Sequence, residues 1–178
     1  MSSSNINPSI KFLSINIGLI TISDTRNMDD DKSGNFLKER INKFGHKVTN
    51  KIIIKDDIEK IKSTLISFAN DKSIDVIITT GGTGLTGRDS TPEAVEEICQ
   101  KKISGFGELF RQISYKKIGT STIQSRALGA IINNTYTFCL PGSPGACKDA
   151  WDNILQFQLD IRHLPCNFIE ILPRLNEK

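Results

Sequence analysis

The sequence predicts an α/β domain built on a mostly parallel sheet with one antiparallel excursion. Apolar, β-favouring runs alternate with segments of helical period, the mark of strand–helix–strand units. A glycine-rich segment joins one of those strands directly to a helix. An Asn133-Asn134 pair between two apolar runs marks a tight hairpin, because asparagine tolerates the left-handed backbone such turns need.

The elements follow in order. Ile15–Ile22 (INIGLITI) reads as a strand buried on both faces. Ser23–Gly34 reads as a polar loop. Phe36, Leu37, Ile41 and Phe44 then recur at helical spacing, and Gly45 supplies the stop. Val48–Ile54 is the second strand. Asp56 or Asp57 offers a helix cap, and Ile58, Ile61, Leu65 and Phe68 make one apolar helix face. Asp75–Thr80 is the third strand, followed by the glycine loop and a helix over Pro92–Lys101. A short helix carrying Leu109, Phe110 and Ile113 is expected after Gly105. Leu128–Ile132 and Thr135–Leu140 form the hairpin, and a last helix runs from near Ser143-Pro144 to before Pro165.

Length and composition limit the options. A chain of 178 residues, 38% hydrophobic and 24% charged, fits one globular domain. We expect a flexible N-terminal tail over residues 1–13 and a single domain over 14–178. A net charge of +3 calls for no nucleic-acid or membrane partner. Four cysteines without a Cys-x-x-Cys pair, and two histidines, give no zinc pattern. Spaced cysteines, no signal-like N-terminus and no long apolar run lead us to expect a cytoplasmic protein. Cys139, in an apolar run, reads as a small buried hydrophobe. The Asp29-Asp30-Asp31 run reads as a solvated loop.

The chemistry is concentrated in TTGGTGLTGRDSTPEA, Thr79 to Ala94. Glycines at the carboxyl end of a strand let backbone N–H groups approach an anion with no Cβ in the way. Pro92 pre-sets the first helical turn, Ser90 or Thr91 can cap it, and Glu93 stands at capping-box spacing from Ser90. Free amides beside a helix start suit phosphate, and Arg88 adds a forked donor. Asp89 is out of place in a phosphate seat unless it binds Mg²⁺ or takes a proton, and so hints at chemistry. The plainer reading, a tight turn with a surface Arg88–Asp89 pair, leaves four glycines in seven residues unexplained.

Gly82, Gly84 and Gly87 also match the dinucleotide fingerprint. That motif belongs to a first strand–helix turn with an acidic residue closing the next strand about 20 residues on; here two strand–helix units precede it and the segment about 20 residues later is glycine-broken and helical, so no NAD is expected. A P-loop would need Lys and Ser/Thr where Arg88 and Asp89 stand. A second turn, Leu140-Pro141-Gly142-Ser143-Pro144-Gly145-Ala146, repeats the arrangement of the first. Together they suggest a ligand with two charged ends or two ligands side by side.

The glycine segment, with the LPGSPGA turn, resembles the MogA/MoaB family of molybdenum cofactor biosynthesis proteins. The resemblance runs from Ile17 to about Pro165 and includes Thr21-Ile22-Ser23-Asp24, Asp56-Asp57, Gly105-Phe106-Gly107-Glu108 and Gly119–Ala127. The IGTSTIQSRA stretch and Arg162–Phe168 look like the MoaB branch. The resemblance implies a three-layer α/β/α sandwich and a homotrimer or homohexamer. It also implies transfer of AMP from Mg-ATP to molybdopterin, or non-catalytic molybdopterin and nucleotide binding in the same pathway, beside other proteins of that pathway. Asp56 and Asp89 match the carboxylates that serve Mg²⁺ and catalysis, with Asp24 a further metal candidate. Gly81, Gly82, Thr83 and Gly84 match the nucleotide-phosphate loop, which Arg88 and Ser90 extend. Ser125, Arg126, Pro141, Gly142 and Ser143 match the pterin and phosphate pocket. Gly87 stands where many members of that family carry proline.

Overall fold

The computed structural model describes residues 5–177. Six strands form one sheet in the order β2-β1-β3-β6-β5-β4: β1 (Asn16–Ile22), β2 (Lys47–Ile54), β3 (Val76–Thr80), β4 (Lys101–Ile103), β5 (Leu128–Ile132) and β6 (Thr135–Leu140). β5 alone runs against its neighbours, so the sheet is mostly parallel with one antiparallel excursion.

Side-chain alternation along each strand feeds two cores. Ile17, Leu19, Val76, Ile78, Tyr136 and Phe138 face helices α1 (Lys32–Phe44), α4 (Ser104–Ile118) and α5 (Pro144–Ala150). Ile20, Ile22, Ile77 and Cys139 face α2 (Ile58–Asn70) and α3 (Thr91–Ile98) on the other side. The result is a three-layer α/β/α sandwich. Strands β2 and β3 flank β1 on opposite sides, and chains that leave adjacent strands in opposite directions open a crevice at the strand carboxyl ends.

Helix ends follow local chemistry. Asp57 caps α2 through the Lys60 amide at 2.8 Å, and Gly45 closes α1 with φ 108°. Asn133 and Asn134 take the expected positive φ, 46° and 61°, in the β5–β6 turn.

Several elements differ from expectation. The Ser23–Gly34 loop ends early, because Asp31 caps α1 through the Gly34 amide. The helix expected over Pro92–Lys101 stops at Ile98, and Lys101–Ile103 is an edge strand, β4. The helix after Gly105 is not short: α4 begins at Ser104 and has 15 residues, continued by a 3₁₀ segment Gly119–Gln124. The last helix stops before Pro165, as expected, but is not uniform and ends at Gln158. It passes through a π-helical stretch Trp151–Leu155 into α6 (Gln156–Gln158) and stops there. Beyond it, Arg162 turns back on Asp160 in a forked ion pair, and Asn167 caps α7 (Phe168–Ile171).

Residues 5–13, expected within a flexible tail, are pinned: Ile6 bridges to His163, the Asn7 amide donates to the Arg162 carbonyl, and Phe12 stacks on His46. Residues 1–4 of that tail lie outside the described residues. Among the described residues no helix is long and apolar enough to cross a membrane. The four cysteines are unpaired, and Cys139 is fully buried.

Candidate functional site

The carboxyl ends of β1, β3 and β6 open into one cleft of about 610 Å³. Gly81, Gly82, Thr83, Gly84, Arg88, Asp89, Asp56, Ser125, Pro141, Gly142 and Ser143 all line it, with Asp24. The expected residues, scattered over 120 positions of sequence, thus meet in one place. Two of them sit elsewhere. Ser90 and Arg126 lie on the outer side of the loop, in an adjoining depression.

The loop is held by its neighbours rather than by itself. Gly81 has φ 108°, donates to the Leu140 carbonyl at 3.0 Å, and has no room for a Cβ against the Ile22 carbonyl. The Thr91 hydroxyl donates to the Gly81 carbonyl and the Thr91 amide to the Gly82 carbonyl, both at 3.0 Å. Arg126 bonds Gly84 O through Nε at 2.7 Å and Asp89 O through Nη2 at 2.8 Å, and pairs with Glu93. The resemblance placed Arg126 in a ligand pocket; its guanidinium is spent on bracing the loop. These contacts, with the Arg126 amide on the Thr83 carbonyl at 3.3 Å, occupy the loop carbonyls. The amides of Gly82 and Thr83 have no protein acceptor among the described residues.

The two carboxylates flank that opening. Asp56 Oδ1 accepts from the Ser90 amide (3.1 Å) and hydroxyl (2.7 Å), while Oδ2 lies 2.7 Å from where a Cβ on Gly82 would stand. Asp89 Oδ2 accepts from the Thr86 amide (2.9 Å) and hydroxyl (2.6 Å). The Thr86 hydroxyl first, with the Thr86 and Gly84 amides and the Arg126 charge, holds the Asp89 carboxyl below the usual carboxylate range and outweighs the burial that would raise it. Asp89 is therefore ionised and partly committed to folding the loop. Asp24 accepts from the Asp56 amide at 3.3 Å and pairs with the exposed Arg88 at 3.2 Å.

The capping box does not form. Ser90 makes no side-chain cap to α3, because Asp56 takes its hydroxyl, and Glu93 turns to Arg126. On the opposite wall Ser143 caps the last helix through the Ala146 amide at 3.2 Å, as the SPG turn suggested.

Sequence reading assigned no role to Arg26 or Gln124, both of which line the cleft. Arg26 lies just past the carboxyl end of β1, the position where parallel sheets bind ligands, and that placement was the available signal. Asp31 was misread. It is fully buried, accepting from the Thr21 hydroxyl and pairing with Lys51 at 2.8 Å. Burial pushes its pKa up, but the Lys51, Gly34 and Thr21 bonds outweigh it and hold the carboxyl low.

Among the described residues no group of three or more His, Cys, Asp or Glu side chains forms a ready metal cage. Mg²⁺ is commonly held by one or two carboxylates together with substrate phosphates, a regime that Asp56 and Asp89 fit. Asp56 Oδ2 accepts no hydrogen bond among the described residues, so it keeps the free oxygen such a role needs.

Comparison with known proteins agrees with this geometry. Residues 18–161 match the family model described as "Probable molybdopterin binding domain". Molybdenum cofactor biosynthesis protein B of Escherichia coli K12 is 41% identical over 160 residues, covering 90% of this chain and 94% of that protein. A crystal structure of a molybdenum cofactor biosynthesis protein B superposes with a TM-score of 0.84 at 40% identity, covering 93% of this chain and 98% of the other. The tungsten cofactor synthesizing protein MoaB from Pyrococcus furiosus superposes at 0.76 with 33% identity, covering 92% and 98%. A loop with open amides, two flanking carboxylates and a second glycine turn thus sit in a chain that belongs to the MoaB/MogA family of molybdenum cofactor biosynthesis proteins.

Proposed function

We propose that this protein transfers AMP from Mg-ATP to the terminal phosphate of molybdopterin, within the biosynthesis of a molybdenum or tungsten cofactor. The observation that carries the reading is the pair of open amides at Gly82 and Thr83 between Asp56 and Asp89. The printed names of its relatives, molybdenum cofactor biosynthesis protein B and a tungsten cofactor synthesizing protein, support the pathway.

The step balances without a general base. An oxygen of the molybdopterin phosphate, already anionic, attacks the α-phosphorus of ATP. The bond from that phosphorus to the β-bridging oxygen breaks, and pyrophosphate leaves with the electron pair. The work left to the protein is alignment and charge neutralisation. Gly82 and Thr83 amides hold nucleotide phosphate oxygens, with Gly81 and Gly84 letting the chain come close. Asp56 and Asp89 would hold Mg²⁺, which would supply the charge neutralisation. Ser125 and the Pro141–Ser143 turn receive the pterin phosphate. Arg126, Ser90 and Thr91 keep the loop in shape. Assembly as a homotrimer or homohexamer, and contact with other proteins of the pathway, belong to the same proposal. The apolar side chains that α4 and its extension expose, among them Tyr115 and Ile123, are consistent with assembly.

A second reading, binding without turnover, is favoured by one observation: Asp89 Oδ2 is already occupied by Thr86. One assay separates the two. Purified protein given ATP, Mg²⁺ and molybdopterin is expected to form adenylyl-molybdopterin, and Asp56→Ala or Asp89→Ala to slow it by about 100-fold or more. Molybdopterin binding with no adenylylated product supports the second reading and overturns the first.

A further inference from the structure

Arg26 differs from the other arginines of the site. Arg88 pairs with Asp24 and Arg126 with Glu93, whereas no carboxylate lies within ion-pair distance of Arg26 among the described residues. Its Nη2 donates to the Gly142 carbonyl at 2.8 Å, and its Nη1 reaches the Ser33 hydroxyl at 3.4 Å. Ser33 donates to the same carbonyl at 2.8 Å. A guanidinium carries five donors, so most of the fork remains free. The side chain is half-buried and lines the cleft beside Gly142 and Ser143. A partly desolvated cation without a counter-charge is stabilised when an anion meets it, and the planar fork suits phosphate.

The cleft is polarised as a result. Asp24, Asp56 and Asp89 gather at the Gly82–Gly84 side, and the unpaired cation stands at the Gly142–Ser143 side. A metal-bound polyphosphate suits the carboxylate side. A metal-free phosphomonoester suits the other. The two seats abut, since a Cβ on Gly142 would stand 3.3 Å from Gly81 Cα.

We propose that Arg26 is the anchor for the phosphomonoester end of the second ligand, and that it sets which way round the two phosphates enter. This rests on the two-ligand reading of the cleft given above. The Gly142 turn does not need Arg26 to keep its shape, because Ser33 and the Ser143 cap hold it independently.

The test uses the full chain, inorganic phosphate without metal as one probe and Mg-ATP as the other. Backbone amide NMR shifts and calorimetry follow Arg26→Gln and Arg26→Lys, with melting temperature as the folding control. In the unsubstituted protein phosphate should shift the Gly142 and Ser143 amides and the Arg26 Nε–H. Arg26→Gln should weaken phosphate about 10- to 100-fold. It should leave Mg-ATP within about threefold, and Arg26→Lys should recover part of the loss. The proposal is overturned if Arg26→Gln folds and binds phosphate as before, if both ligands weaken alike, or if the unsubstituted protein binds no phosphate near Ser143. If phosphate depends on Arg26 but Mg-ATP does not touch Gly82 or Thr83, the anchor stands and the adenylyl-transfer reading fails.

Discussion

Gly82 sits at φ 65°, with Thr91 Oγ1 and Asp56 Oδ2 occupying the space a side chain would need. Gly87, five residues on, is exposed, has no left-handed φ, and has nothing within 4 Å of a would-be Cβ. The loop therefore contains glycines demanded by geometry, Gly81 and Gly82, and one that is not, Gly87. Gly82→Ala should cost at least about 1 to 2 kcal/mol from the left-handed backbone alone, plus displacement of Asp56. In a chain this size that lowers the melting temperature by several degrees, about 2–4 °C per kcal/mol. Gly87→Ala should leave it within about 1 °C. Equal shifts in the two melting curves would contradict the loop geometry. Glycine spacing was visible in the sequence; which glycine mattered was not, because the atoms that decide it belong to Asp56 and Thr91. Asp31 was hidden for the same reason. A run of three acids looks solvated until folding brings Thr21 and Lys51 to one of them. Ser90 and Glu93 matched a local capping pattern but were claimed by the distant partners Asp56 and Arg126.

At the scale of elements, the junction of α1, β2 and the last helix is sealed by His46. It is 3% exposed, accepts from the Ile15 amide through Nδ1 at 3.3 Å, and packs against Phe12, Phe44 and Trp151. Burial drives its pKa down to about 4, outweighing the Asp160 charge and the Leu159 backbone bond, which pull the other way. Arg162 neutralises much of that carboxylate. The unfolded chain takes up this proton near pH 6.5 while the folded one does so near 4, so the folded state loses ground as pH falls through that window. The loss approaches about 3 kcal/mol at the acid end. Urea unfolding between pH 7 and 4 should show this slope, and His46→Asn, which keeps an acceptor for Ile15, should flatten it. A slope that survives the substitution assigns the acid sensitivity elsewhere. Long periodic elements were readable because their apolar spacing is their own. β4 was not, being a three-residue edge strand with two lysines that pairs with β5. The last helix was expected to stop before Pro165 and does; its end at Gln158 was not visible, because an apolar pattern continues past that residue while the backbone turns to bring Arg162 onto Asp160.

Across the whole molecule, the strand order places the ends of β1, β3 and β6 together and so builds one cleft from chain segments far apart in sequence. The sandwich was legible as alternating strands and helices. The division of the cleft into a carboxylate side and an Arg26 side was not, since it depends on which charges find partners across the sheet. The proposed activity requires the Gly82 and Thr83 amides to hold nucleotide phosphate with Asp56 and Asp89 beside it. A crystal structure with Mg²⁺ and a non-hydrolysable ATP analogue is the decisive measurement. Phosphate oxygens are expected about 2.7–3.2 Å from those two amide nitrogens, with the metal bound by one or both aspartates. Phosphates seated elsewhere, or the two amides covered by a neighbouring copy of the chain, would contradict it.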